Sequence, residues 1–120
     1  MFNMLDGVRV VELGHILLAP YAAQFLGDFG ADVIKVEAPD GDYYRRLGVS
    51  RKPGMTSQWM AVNRNKRSIA LDLKSSEGRA VLLEMLSKAD LVVHNMRVPA
   101  IERLGLGYDA VREVNPRIVY

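Results

Sequence analysis

Three positively charged side chains stand together near the middle of the chain: Arg64, Lys66 and Arg67. In residues 68–73, which follow directly, polar or small residues alternate with isoleucine and leucine. This alternation predicts a half-buried β-strand with a charged entrance. Lys74 comes at the end of that strand, and the next residue is a serine that can cap a helix. A cation beside the free N–H groups of a helix N-terminus is a chemistry that binds phosphate.

Composition and charge exclude several classes of protein. The chain has 120 residues, of which 49% are hydrophobic and 25% are charged, and these values are typical of one globular domain. The net charge is only +2 and no basic stripe is interleaved with aromatic residues, so we expect no nucleic-acid partner. The chain has no cysteine, and His15 and His94 have no close ligand partner in the sequence, so we predict no disulfide and no metal site.

The sequence also predicts no membrane-spanning segment. The apolar stretch at residues 16–26 contains Pro20 and Gln24, and it is shorter than the roughly 20 residues that cross a bilayer. The first residues lack a basic region followed by a small-residue cleavage site, which argues against a signal peptide. We therefore expect a cytoplasmic protein with no membrane partner.

Strand and helix patterns alternate along the chain. Residues 8–13 and 32–37 are valine-rich runs typical of buried parallel strands, and helix signals extend from Pro20 to Gly30 between them. A strand, a helix and a strand within about 30 residues predict a βαβ unit with a right-handed crossover. Further strands are predicted at residues 68–73, 91–94 and 118–120, and further helices at residues 76–88, 99–104 and 109–114.

The predicted fold is α/β, a Rossmann-like open parallel sheet with flanking helices. Residues 38–55 predict a long loop, and residues 56–62 fit either a helical turn or a short strand. Ligands of such sheets bind outside the carboxyl ends of the strands, where the connecting loops diverge. The residues at those ends are Gly14, His15, Glu37, Ala38, Asp72, Lys74, Asn95, Met96 and Arg97. We expect these residues to form one rim of the sheet.

Three sequence motifs occur in order along the chain. They are Gly-Ala-Asp-Val-Ile-Lys-Val-Glu at residues 30–37, Asn-x-x-Lys-Arg-Ser-x-x-Leu-Asp-x-Lys at residues 63–74 and Ala-Asp-Leu-Val-Val-His-Asn at residues 89–95. With these motifs, residues 5–117 resemble the family III coenzyme A transferases, also called the CaiB/BaiF type. The family includes formyl-CoA transferases, carnitine-CoA transferases and 2-methylacyl-CoA racemases.

The resemblance implies an acyl-CoA:carboxylate CoA-transferase. In such transferases an aspartate attacks the acyl-CoA to form a mixed anhydride and then holds CoA as an enzyme-bound thioester. The resemblance places that aspartate beyond Tyr120, so residues 1–120 are interpreted as the CoA-binding, N-terminal portion of a longer enzyme, truncated before its catalytic segment. It also implies an interlocked homodimer that takes an acyl-CoA and a carboxylic acid as substrates and has no tightly bound cofactor.

The resemblance further implies which residues contact coenzyme A: His15, Ile16, Leu71, Asp72, Leu73, Lys74, Asn95, Met96, Arg97 and Arg103. We expect Leu71 and Leu73 to clamp the adenine. We expect Lys74 and the two arginines to meet phosphates, and Asn95 to bond the pantetheine arm. Each residue taken singly also fits a core, turn or surface position. Formyl-CoA transferases of the family carry glutamine where Leu17 stands here, and this departure from the family pattern argues against formate or a small dicarboxylate and favours a bulkier or less polar acyl group.

Three alternative functions remain open from the sequence. A 2-methylacyl-CoA racemase of the same superfamily shares the resemblance. An NAD(P)-binding Rossmann module is suggested by Glu37, which ends the second strand where an acid could hold ribose hydroxyls. However, only Gly14 of the glycine-rich turn that such modules need is present. A non-catalytic interaction domain would need an exposed apolar patch.

Overall fold

The computed structural model describes residues 3–120, and within them four strands form one parallel sheet. The strands are β1 (Arg9–Glu12), β2 (Asp32–Glu37), β3 (Lys66–Ala70) and β4 (Leu91–Val93). The helices are α1 (Leu18–Asp28), α2 (Ser57–Ala61), α3 (Ser76–Ser87), α4 (Val98–Arg103) and α5 (Tyr108–Val114). The strand order is β3-β2-β1-β4 and every pair is parallel, so the predicted open parallel sheet is confirmed. No helix in residues 3–120 is long and apolar enough to span a membrane.

The sheet carries apolar side chains on both faces, because successive residues of a strand point to opposite sides. On one face, Val10 and Val33 pack with Ala23 of α1. On the other face, Val11 and Val36 belong to a larger core. The helical members of that core, from α3, α4 and α5, include Leu82, Leu86, Ile101 and Val111. Helices therefore cover both faces, and burial on both sides explains the valine-rich strands.

Most helices and strands lie within one or two residues of their predicted bounds. β2 has the predicted bounds, and α3 ends one residue before its predicted end. Residues 56–62, which fit two patterns, contain α2, and the Thr56 hydroxyl caps this helix by accepting from the N–H of Trp59. The predicted terminal strand is reduced to one parallel bridge between Val119 and Leu91 of β4.

The prediction of a third strand at residues 68–73 is wrong in its bounds. β3 begins two residues earlier and ends at Ala70, which pairs with Glu37, the last residue of β2. The ladder stops there because the neighbouring strand has ended, although the Leu71 N–H still donates to the Glu37 carbonyl at 2.9 Å. Leu71 and Leu73 lie beyond the strand, and both pack against the core on the α3 side of the sheet.

Candidate functional site

A cavity of about 230 Å³ lies at the carboxyl ends of the strands. Its lining is mostly apolar and includes Leu13, Val36, Ala38, Leu71, Leu73, Met96 and Leu104. The polar residues of the lining are His15, Glu37, Asp72 and Lys74. Segments that follow all four strands therefore meet at one space, which is where ligands bind in open parallel sheets.

The cavity brings together part of the predicted contact set. Six of the ten residues line it: His15, Leu71, Asp72, Leu73, Lys74 and Met96. The other four are neighbours of lining residues in the sequence but are not part of the lining: Ile16, Asn95, Arg97 and Arg103. Leu13, Val36 and Leu104 also line the cavity and are not in the predicted set. Leu13 and Val36 had a usable signal because they lie at the ends of buried strands, whereas Leu104 had none.

Side-chain caps fix the loop between β3 and α3. The Ser75 hydroxyl donates to the Asp72 carbonyl at 2.7 Å and accepts from the Gly78 N–H at 2.9 Å, so Ser75 is the helix cap that the sequence predicts. The Asp72 carboxylate accepts from the Lys74 N–H at 2.9 Å. A Cβ on residue 78 would lie 2.1 Å from the Asp72 carbonyl oxygen, so this close approach requires glycine. The loop therefore holds the Lys74 backbone at the cavity.

Three cations of the predicted contact set have no acidic partner within residues 3–120. Lys74, Arg97 and Arg103 are exposed, and none of them forms an ion pair in this range. A phosphate binds well to such groups because charge-assisted hydrogen bonds are stronger than neutral ones. Their charges are therefore available to an anionic ligand.

The cluster of Arg64, Lys66 and Arg67 does not form the charged entrance that the sequence predicts. Arg64 and Arg67 each pair with an aspartate. Lys66 is buried, and its ammonium pairs with Glu12 at 2.8 Å. Acidic neighbours therefore neutralise all three charges. β3 begins at Lys66, inside the cluster, and this places the Lys66 side chain on the face of the sheet that α1 covers.

Asn95 ties the segment after β4 to the turn after β1. Its side-chain amide accepts from the His15 N–H at 2.9 Å and donates to the His15 carbonyl at 2.9 Å. This reciprocal pair fixes the backbone that carries the His15 imidazole. The contact of Asn95 with a pantetheine arm stays a prediction, and the structure gives Asn95 a role in placing His15.

Ile16 has a backbone conformation that is rare for its residue type. Its φ is 63°, in the left-handed region where a β-branched residue is an outlier. Such a conformation costs of order 1–3 kcal/mol and persists only where surrounding contacts hold it. The Ile16 N–H donates to the two carboxylate oxygens of Asp42 at 3.1 and 3.2 Å. Asp42 therefore holds the strained residue beside His15.

Asp42 belongs to a buried group of four charged side chains, the others being Glu12, Lys35 and Lys66. Each of these side chains is 2% exposed or less. The Lys35 ammonium lies 2.7 Å from Glu12 and 3.1 Å from Asp42, and it donates to the Gly14 carbonyl at 3.0 Å. With two acids and two bases, the group is neutral overall, which is the condition for burying charge at tolerable cost.

The pKa values within this group shift in the directions that burial and pairing require. Burial lowers the pKa of the Lys66 ammonium, and the nearby Glu12 carboxylate offsets this only in part. Burial by itself raises the pKa of Asp42. The N–H of Tyr44 and the charge of Lys35 outweigh that effect, so the pKa of Asp42 lies below its usual value. Asp42 is therefore ionised at neutral pH.

Glu37 is occupied by partners within the protein. Arg45 donates to both of its carboxylate oxygens at 2.6 Å, and the Asp42 N–H donates to it at 2.9 Å. Burial raises the pKa of Glu37, but the bonds from Arg45 and Asp42 bring it below its usual value. The Arg45 guanidinium also lies 3.7 Å from the ring centre of Trp59. An NAD(P) module needs this acid for ribose hydroxyls, so the arrangement argues against that alternative.

The hydrogen bonds of His94 define a neutral ring. Its Nδ1 accepts from the Met96 N–H at 3.2 Å, so the ring proton lies on Nε2 and is donated to the Tyr120 hydroxyl at 2.9 Å. That hydroxyl donates in turn to the Leu106 carbonyl at 2.9 Å. Burial of the ring lowers the pKa of His94. His94 therefore supports the segment that carries Met96 to the cavity.

We expect the stability of the protein to fall, because of His94, over a pH window that begins at about 6.5, the usual histidine pKa, and extends to lower pH. The unfolded chain binds a proton at the usual histidine pKa, whereas the folded chain resists protonation, so stability is lost as pH falls through this window. His94→Asn keeps an acceptor for the Met96 N–H but cannot titrate. Thermal unfolding of both proteins across this pH range should give a shallower slope for the variant, and equal slopes would contradict the assignment.

Fold and site together define an α/β protein with a largely apolar cavity at the carboxyl edge of a parallel sheet, lined in part by Lys74, a cation with no acidic partner among residues 3–120. The sequence matches the CoA-transferase family III over residues 5–120. The chain belongs to this family.

Known proteins show how far the similarity extends. The chain is 41% identical to the beta subunit of succinyl-CoA–L-malate CoA-transferase from Chloroflexus aurantiacus, over 96% of this chain and 29% of that protein. It is 43% identical to formyl-CoA:oxalate CoA-transferase from Streptomyces coelicolor, over 97% of this chain and 28% of that protein. The crystal structure of a CAIB/BAIF family protein from Brucella suis matches with a TM-score of 0.93 and 39% identity, over 100% of this chain and 33% of that one. The chain spans a third or less of each of these proteins.

Proposed function

We propose that this chain is the CoA-binding part of an acyl-CoA:carboxylate CoA-transferase and that the cavity receives the coenzyme. The observation that carries the proposal is a mostly apolar cavity, in a chain of the CoA-transferase family III, beside cations that have no acidic partner in the described part of the chain. The two relatives described above are named for a CoA thioester and a carboxylic acid. The proposed substrates are accordingly an acyl-CoA and a carboxylic acid, and the proposed assembly is a cytoplasmic, interlocked homodimer.

The cavity and the cations beside it suit the adenine and the phosphate groups of coenzyme A. Leu71, Leu73 and Met96 provide the apolar surface that an adenine ring needs. Lys74, Arg97 and Arg103 provide charges for a pyrophosphate and a 3′-phosphate. Lys74 lines the cavity itself, and Arg103 directly precedes the lining residue Leu104. The coenzyme would therefore lie with its adenine in the cavity and its phosphates toward the exposed cations.

The proposed reaction proceeds by exchange at a thioester carbonyl. An aspartate carboxylate, which we place outside residues 1–120, attacks the acyl-CoA, forming an anhydride and releasing the CoA thiolate. The thiolate then attacks the aspartyl carbonyl and releases the first acid, and the second acid reverses these steps to leave as its CoA thioester. This chain contributes by holding CoA in place, and such orientation can supply about 7 kcal/mol or more of the barrier reduction.

Calorimetry on the full-length protein with CoA and with NAD, in separate titrations, tests the proposal. We expect CoA to bind and NAD not to bind. Lys74→Ala and Arg103→Ala should each weaken CoA binding by about tenfold, because each removes a charge-assisted contact. Lys88→Ala is the matched control, since Lys88 is an exposed lysine paired with Glu84 on α3 and away from the cavity lining.

The possible outcomes separate the competing functions. Unchanged CoA affinity in both cavity variants would show that the coenzyme binds elsewhere, and binding of NAD alone would support the dinucleotide module. CoA exchange between an acyl-CoA and a free acid is expected of a transferase. Exchange of the α-proton of a 2-methylacyl-CoA without acid exchange would instead indicate the racemase.

A further inference from the structure

The turn from Gly14 to Ile16 is held almost entirely by distant side chains. Lys35 donates to the Gly14 carbonyl, Asn95 bonds both backbone groups of His15, and Asp42 accepts from the Ile16 N–H. Three side chains from different parts of the chain thus satisfy four consecutive backbone groups of one short turn. The turn also contains the left-handed Ile16, which has no local reason to adopt that conformation.

Asp42 is the member of this set whose charge needs an explanation. Its side chain is 1% exposed, and its carboxylate accepts from the Tyr44 N–H at 3.0 Å and from the Ile16 N–H at 3.1 and 3.2 Å. A buried ion pair often stabilises a fold no more than apolar side chains of similar size do, and a buried charge left unpaired destabilises it strongly. Lys35 at 3.1 Å supplies the counter-charge and is itself paired with Glu12. The fold therefore keeps three buried charged side chains, Asp42, Lys35 and Glu12, next to the turn.

We propose that Asp42 is a positioning residue of the coenzyme site. It holds Ile16 in the left-handed conformation and so fixes where the His15 imidazole stands at the cavity. The Lys35 ammonium and the Tyr44 N–H keep Asp42 ionised, and Lys35 is itself held by Glu12. The same carboxylate caps the 3₁₀ turn Tyr43–Arg46, so Asp42 links the long loop after β2 to the turn after β1. The effect on CoA binding rests on the function proposed above, whereas the effect on the turn does not.

Two charge-balanced double variants isolate the contact with Ile16. Lys35→Met with Asp42→Asn, and Lys35→Met with Asp42→Ser, both remove one positive and one negative charge, so the buried pair Glu12 and Lys66 remains balanced. Asparagine keeps an acceptor that reaches the Ile16 N–H. Serine still caps the 3₁₀ turn but is too short to reach Ile16. The two proteins thus differ mainly in the bond that the proposal concerns.

Amide hydrogen exchange at Ile16 and the NMR signals of the His15 ring report the turn directly in the full-length protein. We expect the asparagine variant to keep protection of the Ile16 amide and the parental ring signals. The serine variant should lose protection by about tenfold and show shifted ring signals. Adding Ile16→Asn to the serine variant should restore the ring signals, because asparagine adopts left-handed φ more readily than isoleucine does. A role of Asp42 confined to the 3₁₀ turn would not respond to a change at residue 16.

CoA titration of the same proteins completes the test. We expect the serine variant to bind CoA about tenfold more weakly than the asparagine variant, with recovery on adding Ile16→Asn. Equal Ile16 protection in the two double variants overturns the positioning role. Lost protection with unchanged CoA affinity also overturns it, because the turn would then not serve the site. If the parent itself does not bind CoA, the proposed function fails, and the exchange and ring signals alone decide the positioning role.

Discussion

Replacing Gly78 by alanine should destabilise the protein by about 3 kcal/mol, at the upper end of what overpacking costs. Alanine is the better helix former at this position of α3, so propensity alone would favour the change. The added Cβ, however, would lie 2.1 Å from the Asp72 carbonyl oxygen and 3.0 Å from the Ser75 hydroxyl oxygen. A backbone carbonyl cannot move aside as a flexible side chain can. The loop that carries Asp72 to Lys74 must therefore shift, and the Ser75 cap is lost with it.

Urea unfolding of Gly78→Ala and of a matched control measures this effect. Gly107→Ala is the control, because it also places a Cβ at the start of a helix, where the nearest atom is the flexible Glu102 Cγ at 3.3 Å. We expect the control to lose no more than about 1 kcal/mol. Gly78→Ala should also weaken CoA binding, since Lys74 lies in the displaced loop. A Gly78→Ala protein as stable as Gly107→Ala would show that the loop can relax around the methyl group.

Strand β2 shows what the sequence can predict about this fold. Its run of valine and isoleucine between a glycine and a proline fits a strand buried on both faces, and the structure gives the predicted bounds. Lys35 lies within this apolar run. A lysine inside a buried strand indicates that an acidic partner is buried with it, but the strand pattern does not identify that partner. The partner that neutralises it, Glu12, lies 23 residues away, so local patterns could not pair them.

Strand β3 shows why the same reasoning placed one strand incorrectly. Charged residues lower the expectation of a strand, so the sequence pattern predicts a strand that begins after Lys66 and Arg67. The structure begins β3 at Lys66 because Glu12, 54 residues earlier, neutralises its ammonium within the fold. The alternation of Ile69, Leu71 and Leu73 with polar or small residues still predicts the buried side correctly, because all three pack against one core.

The sequence predicts which residues meet at the candidate site, but not the hydrogen bonds that hold their backbone in place. The rule that ligands bind at the carboxyl ends of parallel strands identified His15, Lys74 and Met96 as neighbours, and all three line one cavity. Asp42 lies in a long loop with no regular pattern, and its bond to the Ile16 N–H spans 26 residues. Contacts of this kind depend on the assembled fold, so no local pattern of residue types indicates them.

Replacing Glu12 by alanine should cost about 3–5 kcal/mol, the usual loss when one partner of a buried ion pair is removed. The Glu12 side chain is fully buried and serves two ammonium groups, those of Lys35 and Lys66. Lys35 keeps Asp42 as a counter-charge, but the acceptors that remain for Lys66 within residues 3–120, such as the Pro20 carbonyl, are uncharged. Because a domain of this kind has a total stability of about 5–15 kcal/mol, the variant should unfold at a much lower urea concentration.

Two comparisons separate charge imbalance from lost packing. Glu12→Gln with Lys66→Met removes the pair as a unit and leaves Lys35 with Asp42, so we expect a smaller loss than in Glu12→Ala. Glu84→Ala breaks the exposed pair with Lys88, and its urea transition should coincide with that of the parent. A loss in the double variant as large as in Glu12→Ala would assign the effect to packing.

The pH dependence of Glu12→Ala provides the most specific signature of an unpaired buried ammonium. Burial already lowers the pKa of Lys66 in the parent, and removal of the Glu12 charge must lower it further. Below its folded pKa, the variant carries the full cost of the charge. As pH rises from that value toward the unfolded lysine pKa of about 10.4, the folded protein releases its proton before the unfolded chain does, so stability increases. Urea midpoints measured from pH 7 to pH 10 should therefore rise more steeply in Glu12→Ala than in the parent. The double variant has no ammonium at residue 66, so it should lack this contribution and rise least of the three proteins.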